Sequence, residues 1–133
     1  MTLDEKVNHW VCIADKDISV SELLIKNGHY LHAGFMCQQA VEKIIKGYFI
    51  KVKDEVHPHI HNLIKLVERA DLFEKLSKEQ IAFLDELNPL YIEARYDSYK
   101  NEIAETLTDE RLESILKRTK EFVQWIKEKM LYQ

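Results

Sequence analysis

The stretch Gln38-Gln39-Ala40-Val41-Glu42-Lys43-Ile44-Ile45-Lys46 lies inside a long run of apolar residues at helical spacing. Two adjacent amides and a Glu-Lys pair interrupt a pattern that would otherwise form only core. A helix that only packs rarely needs such groups, because each buried polar group without a partner costs about 1–3 kcal/mol. The stretch therefore predicts a core helix whose polar residues have a further role.

The composition around this stretch is that of one helical domain. The chain has 133 residues, 46% of them hydrophobic and 32% charged, with only 3 Gly and 2 Pro. This balance argues against disorder, and long segments with few turn residues favour an all-α fold. The net charge is −4 with the two signs mixed, which argues against tight non-specific DNA binding but leaves room for a local basic cleft.

Neither a membrane anchor nor a cysteine framework is expected. No apolar run approaches the roughly 18 residues that a membrane span needs, and the polar start Met1-Thr2-Leu3-Asp4 does not resemble a signal peptide. We therefore expect a cytoplasmic protein. Cys12 and Cys37 are not closely spaced, so we expect two buried, reduced thiols rather than a disulfide or a zinc site.

Hydrophobic periodicity predicts four main helices and one short helix. The main helices are expected at about 3–27, 30–53, 77–91 and from 108 to the C-terminus, and the short helix at about 62–70. The predicted fold is a single all-α, up-down bundle that spans residues 1–133.

Local signals mark several boundaries of these helices. Thr2 and Ser77 each begin a capping box, and Gly28 can adopt the left-handed conformation that closes a helix. Asn88-Pro89 should kink or restart the fourth main helix, because proline removes a backbone donor. The polar segment 96–107 is expected to be irregular.

The polar residues of the opening stretch have two interpretations. Helical spacing places Gln39, Lys43 and Lys46 along one side of the helix, with Gln38 and Glu42 beside them. They could form a polar line that faces a cleft or a second copy of the chain. Alternatively, a buried amide bonds to another helix while Glu42 and the lysines are solvated.

Two further groups of residues are candidates for binding. His57, His59 and His61 alternate around Pro58, but no acidic residue or cysteine lies at convincing ligand spacing, so we expect a solvated loop without a metal. Arg95, which has tyrosines on both sides, suits a phosphate or a stacked base. The alternative for Arg95 is a salt bridge to a carboxylate of the second helix, such as Glu42.

The chain resembles the HEPN (higher eukaryotes and prokaryotes nucleotide-binding) domain family along most of its length. Four segments carry the resemblance: Trp10, Ala14 and Asp17 with Gly28-His29-Tyr30; Gln38 to Lys46; His61-Asn62-Leu63 with Leu66; and Ala94-Arg95-Tyr96. The resemblance implies a HEPN-like bundle that forms a homodimer and associates with nucleotides or RNA. Many members are metal-independent endoribonucleases, and others pair with a minimal nucleotidyltransferase in toxin–antitoxin or related two-gene systems.

This sequence departs from the ribonuclease pattern of the family, in which an Arg is followed four to six residues later by a His. All 6 His lie at or before His61, and the first Arg is Arg69, so that motif cannot occur here. We therefore expect a non-catalytic partner of a minimal nucleotidyltransferase that needs no cofactor. The residues expected to contact a nucleotide, RNA or partner are Gln39, Glu42, Lys43, Lys46, Arg95 and Tyr99.

Tyr99 has a further possible role, since some partner nucleotidyltransferases adenylylate a HEPN tyrosine. In those members the tyrosine follows the His that is absent here. Two alternatives to the non-catalytic partner stay open. One is a divergent endoribonuclease that uses Arg95 with His61 or a tyrosine as the base, and the other is a helical interaction module with no nucleotide role.

Overall fold

Six α-helices account for most of the part of the chain that the structure describes, residues 1–93 and 95–132 of a computed structural model. They are α1 (Leu3–Lys26), α2 (Tyr30–Lys53), α3 (Leu63–Arg69), α4 (Lys78–Leu87), α5 (Asp97–Thr106) and α6 (Asp109–Met130). Two single turns of 3₁₀ helix, Phe73–Lys75 and Asn88–Leu90, flank α4. Ala94, part of the predicted Ala94-Arg95-Tyr96 segment, lies outside the described residues. The predicted helical bundle is confirmed.

The central helix is α2, which contacts α1 and α6 as well as α3, α4 and α5. It is buried over most of Ala33–Ile50, as its wide apolar pattern predicts. Gly47 lets α1 come close, since a Cβ at this position would lie 3.2 Å from Cβ of Trp10. The polar residues of α2 are therefore held largely inside the bundle rather than on its surface.

The helix starts predicted from capping signals are confirmed. The hydroxyls of Thr2 and Ser77 accept hydrogen bonds from the backbone N–H three residues later, and Glu5 and Gln80 complete the two capping boxes. After α1, Gly28 has φ of 76°, the left-handed conformation that glycine adopts without steric cost.

Three expectations about local structure are wrong. The fourth main helix is interrupted at Asn88-Pro89 as predicted, but it does not reach Tyr91: the α-helix ends at Leu87 and only the 3₁₀ turn Asn88–Leu90 follows, because Pro89 lacks a backbone donor. Segment 97–106 is helical rather than irregular, since Ile103 packs against the core and the Tyr99 hydroxyl donates to the carbonyl of Pro89. Cys12 is exposed, and Cys37 is buried as expected; both are free thiols.

In the described part of the chain, no helix has both the length and the apolar character that crossing a membrane requires.

Removing the same atoms from a buried and an exposed leucine tests the packing of α3. Leu66 of α3 is fully buried, whereas Leu23 of α1 is 59% exposed. We expect Leu66→Ala to lower the free energy of unfolding by about 2–5 kcal/mol, because it opens a cavity. Leu23→Ala should change it by less than about 0.5 kcal/mol. Urea unfolding measures both, and equal losses would contradict the packing described.

Candidate functional site

The carboxylate of Glu42 is the centre of a buried polar network on α2. Its side chain is 0% exposed. Lys46 Nζ donates to Oε2 at 2.9 Å, and the ammonium of Lys43 lies 3.5 Å from the same oxygen. On the other side, Oε1 lies 3.1 Å from Nδ1 of His61 and accepts a hydrogen bond from Gln38 Nε2 at 3.3 Å. Several donors thus offset the cost of burying the charge.

The amides of α2 connect this carboxylate to the surface. Gln38 Nε2 also donates to the carbonyl of His61 at 3.2 Å, just before α3 begins. Gln39 Nε2 donates to Gln38 Oε1 at 2.8 Å, and Lys43 Nζ donates to Gln39 Oε1 at 2.9 Å. The alternative in which Glu42 and both lysines are solvated is wrong, since Glu42 is fully buried and Lys46 is only 4% exposed; Lys43 remains partly exposed. Gln38 is the buried amide expected, and its partner is backbone beside α3.

The charge of Glu42 determines how His61 is held. Burial by itself raises the pKa of Glu42, but the hydrogen bond and charge of Lys46, the charge of Lys43 and the hydrogen bond of His61 outweigh it, so the pKa lies below its ordinary value. The carboxylate is therefore ionised at neutral pH and can only accept hydrogen bonds. His61 must then carry a proton on Nδ1, which leaves Nε2 on the opposite edge of the ring.

The imidazole of His61 is fixed on a second side by an aromatic ring. It stacks on Tyr91 with 4.3 Å between ring centroids and 22° between ring planes. Tyr91 in turn packs edge-on against Phe35 of α2 at 5.9 Å. The side chain of His61 remains 50% exposed. Glu42 and Tyr91 therefore orient the ring, and the part that they do not cover is accessible to a ligand.

The accessible side of His61 opens into a cleft of about 270 Å³. The cleft lies between the start of α3, the Asn88–Leu90 turn and the start of α5, and its lining residues are His61, Asn62, Asn88, Pro89, Tyr91, Arg95 and Tyr99. We call it the His61–Arg95 cleft. Helix α5, which was not expected from the sequence, supplies one wall through Tyr99.

Arg95 is held at this cleft by its own neighbours. Its Nε donates to the carbonyl of Tyr91 at 3.2 Å, and its guanidinium lies 4.7 Å from the ring centroid of Tyr99. The Tyr99 hydroxyl donates to the carbonyl of Pro89 at 3.2 Å. The alternative of a salt bridge from Arg95 to Glu42 is wrong, because the donors to Glu42 are the lysines, Gln38 and His61. Because the bond to Tyr91 uses Nε, the two Nη groups can donate to a bound anion.

The alternating histidines do not form one cluster. The ring of His57 packs edge-on against Trp10 at 4.7 Å and lies 5.5 Å from the ring of His59, whereas His61 stacks on Tyr91. Among residues 1–93 and 95–132, no three His, Cys, Asp or Glu side chains are placed to hold a metal ion.

The profile of the HEPN domain family matches residues 7–129, almost the whole chain. The chain belongs to the HEPN domain family. The crystal structure of TT1696 from Thermus thermophilus superposes with a TM-score of 0.78 at 23% sequence identity, and the alignment covers 93% of this chain and 98% of that chain. This likeness shows a shared fold. No curated protein matches the chain at a significant level.

In this HEPN domain the predicted site residues fall into two connected groups. Gln39, Glu42, Lys43 and Lys46 form the network on α2, while Arg95 and Tyr99 line the cleft. Lys46 touches Glu42 rather than solvent, so it can affect a ligand only through that carboxylate.

Two contributors to the site of this HEPN domain were underestimated from the sequence. His61, which entered the sequence analysis as a loop residue and a possible base, is the link between the two groups. Tyr91 was assigned to the fourth main helix, but it lies beyond α4 and stacks on His61. The segment His61-Asn62-Leu63, which already carried the family resemblance, was the available signal.

Neutralising Glu42 tests the buried network of this HEPN domain. Glu42→Gln leaves the Lys46 ammonium buried without a counter-charge, so we expect a loss of about 3–5 kcal/mol in the free energy of unfolding at pH 7. The pKa of Glu42 is lowered in the folded state, so its contribution is complete above the ordinary value of 4.5 and is lost as pH falls through the folded pKa. The difference between the two proteins should therefore shrink below about pH 4.5.

The control for this prediction is the double variant Glu42→Gln, Lys46→Met. If the two charges stabilise each other, urea unfolding will show the double variant losing less than the sum of the single variants. Additive losses at every pH would contradict the network.

Proposed function

We propose that this HEPN protein binds a nucleotide, or a phosphate of an RNA, in the His61–Arg95 cleft. One observation carries the proposal: an imidazole oriented by a buried carboxylate and an arginine guanidinium line the same cleft. Helices α3 and α4 separate these two residues in the sequence, so only the fold brings them together.

The groups in the cleft suit a phosphate attached to a nucleoside. The two Nη groups of Arg95 can donate to phosphate oxygens in a forked arrangement, and His61 Nε2, which carries no proton when Nδ1 does, can accept a hydrogen bond from a ribose hydroxyl. The rings of Tyr91 and Tyr99 offer flat apolar surface for a base or ribose. The volume of about 270 Å³ lies at the small end of ligand sites, which suits a phosphate and its neighbouring sugar.

We further propose that the protein acts as a homodimer and as the non-catalytic partner of a minimal nucleotidyltransferase in a toxin–antitoxin-type system. The missing Arg-to-His motif supports the non-catalytic role. Tyr99 supports the partner role, because it lines the cleft, where a nucleotidyl group could be attached to its hydroxyl. Light scattering of the tagged protein, with mass spectrometry of co-purifying chains, should give a dimer with a small nucleotidyltransferase. A monomer that purifies alone would contradict both parts.

A divergent endoribonuclease is the second candidate function, and the geometry of the cleft favours it. His61 Nε2 could accept the proton of a ribose 2′-hydroxyl, while Arg95 stabilises the negative charge that develops on the phosphorus-bound oxygens. The relevant pair would be His61 followed by Arg95, the reverse of the order in the family motif.

Removing the arginine tests ligand binding. We expect AMP, ATP or a short RNA to raise the melting temperature, because a ligand that binds only the folded state stabilises it. Arg95→Ala should weaken binding about tenfold or more, since hydrogen bonds to charged groups contribute about 1.5–3 kcal/mol. The matched control is Arg69→Ala, which changes an arginine at the end of α3 outside the cleft. Equal weakening by both variants would contradict the proposed site.

A cleavage assay decides between the two candidate functions. If the protein is a ribonuclease, a single-stranded RNA is cut in the presence of EDTA, both His61→Ala and Arg95→Ala abolish cleavage, and Glu42→Gln alters the pH dependence of the rate. If the protein only binds, the RNA stays intact at protein concentrations that saturate it. RNA cleavage that persists in the Arg95→Ala variant would contradict both the binding function and the ribonuclease function assigned to this cleft.

A further inference from the structure

We propose that a groove beside Trp10 is a second binding site, which takes an unpaired nucleobase of the same strand whose phosphate occupies the His61–Arg95 cleft. This inference rests on the proposed function and extends it from a single nucleotide to a short single-stranded oligonucleotide. The groove, called here the Trp10 groove, lies between the first turns of α1, the end of α2 and the loop that follows. Its lining includes Trp10, Ile50, Val56 and the rings of His9 and His57, together with the charged residues Lys6, Asp54 and Glu55.

The Trp10 groove has the size and surface that a base requires. Its volume is about 580 Å³, within the range of small-molecule sites. Trp10 and Val56 are not buried, so the apolar surface is accessible. The rings of His57 and His9 each meet Trp10 nearly perpendicular, at 4.7 and 5.6 Å between centroids, so the groove brings three aromatic rings together. Base stacking on aromatic side chains strengthens binding by about 5- to 150-fold per base in single-strand binders.

The Trp10 groove and the His61–Arg95 cleft are joined through the network on α2. Trp10 packs on Gly47, the residue that follows Lys46. The Lys46 ammonium and the His61 ring contact opposite oxygens of the Glu42 carboxylate. The non-helical loop also connects the two, since His57 and His61 are four residues apart and can be separated by at most about 14 Å along the backbone.

One partly exposed ammonium group, that of Lys43, lies between the two sites. The charges of Lys43 and Lys46 are balanced by the carboxylates of Glu42 and Asp17, so the attraction for a phosphate comes from the exposed part of Lys43 and not from a net charge. Burial lowers the pKa of His57, and the charges of Lys46 and Lys43 add to this effect, so both ammonium groups act electrostatically on the Trp10 groove as well. A strand that crosses from one site to the other would therefore pass its phosphates near Lys43, which is partly exposed.

The acidic residues of the Trp10 groove select a base rather than a phosphate. Asp54 and Glu55 outnumber the one lysine of the lining, Lys6, so the charged side chains of the groove sum to −1 and disfavour a phosphate. The two carboxylates can accept hydrogen bonds from an exocyclic amine. Adenine, cytosine and guanine carry such an amine and uracil does not. We therefore expect strands that contain adenine, cytosine or guanine to bind more tightly than uracil-only strands.

Tryptophan fluorescence can report on the Trp10 groove directly. The chain has 2 Trp, and Trp125 lies in a different groove, between α4 and α6, so Trp125→Phe leaves Trp10 as the only reporter. Titration of this variant with single-stranded hexa-adenylate should quench Trp10. AMP should bind in the His61–Arg95 cleft without quenching, and hexa-adenylate should bind about tenfold or more tightly than AMP or hexa-uridylate, as one stacked base allows.

A substitution in the loop separates the second site from the first. His57→Ala should weaken hexa-adenylate binding by about fivefold or more, which is the lower end of the range for removing an aromatic side chain that stacks on a base. The same variant should leave AMP binding unchanged. Trp10→Phe is the second variant; it keeps an aromatic ring against Gly47 and should give a smaller loss. Arg95→Ala should weaken both ligands.

The outcomes distinguish the two proposals. Equal affinities for AMP and hexa-adenylate, with no quenching of Trp10, would overturn the second site and leave the His61–Arg95 cleft intact. Hexa-adenylate could quench Trp10 and bind Arg95→Ala with the same affinity as the unchanged protein. This result would overturn the claim that one strand occupies both sites. If neither ligand binds a folded protein, both proposals fall.

Discussion

A single buried charge organises this HEPN domain. The Glu42 carboxylate lies in the middle of the most buried helix, where an unpaired charge would cost more than the fold could offset. The surrounding structure therefore has to bring donors to it, from α2 itself and from the segment before α3. Much of the arrangement of the His61–Arg95 cleft follows from this requirement.

The first consequence is the position of His61. Its ring contacts Glu42 on one edge and its backbone carbonyl accepts from Gln38, so side chain and main chain are both tied to α2. The next residues begin α3, where Asn62 caps the helix and the Leu63 N–H donates to Asn88 Oδ1 at 2.8 Å. That hydrogen bond fixes the start of α3 against the Asn88–Leu90 turn, and Tyr91 and Arg95 follow this turn in the chain. A buried ion pair and the open cleft are thus parts of one connected structure.

Features that are determined within a single helix could be predicted from the sequence. The candidate site could be predicted only in part, because it depends on contacts between helices. The buried stripe of α6 and both capping boxes follow from periodicity and short-range signals. Helix α5 was missed because none of its residues is fully buried and most of them are polar, so no hydrophobic periodicity marks it. Whether the Glu42 carboxylate is solvated or buried depends on donors elsewhere in the fold, and the donor outside α2 is His61, 19 residues away. Likewise, the place of Arg95 beside His61 results from the packing of α3 and the turn before α5.

The central claim is that an ionised Glu42 holds His61 by Nδ1 and presents Nε2 to the cleft. A long-range proton–nitrogen NMR spectrum of the histidine rings, with His61 assigned by His61→Gln, reads the protonation of each ring nitrogen directly. The account predicts that Nδ1 of His61 carries a proton in neutral and mildly alkaline solution and that Glu42→Gln changes this signal. An unprotonated Nδ1 in the native protein would contradict it.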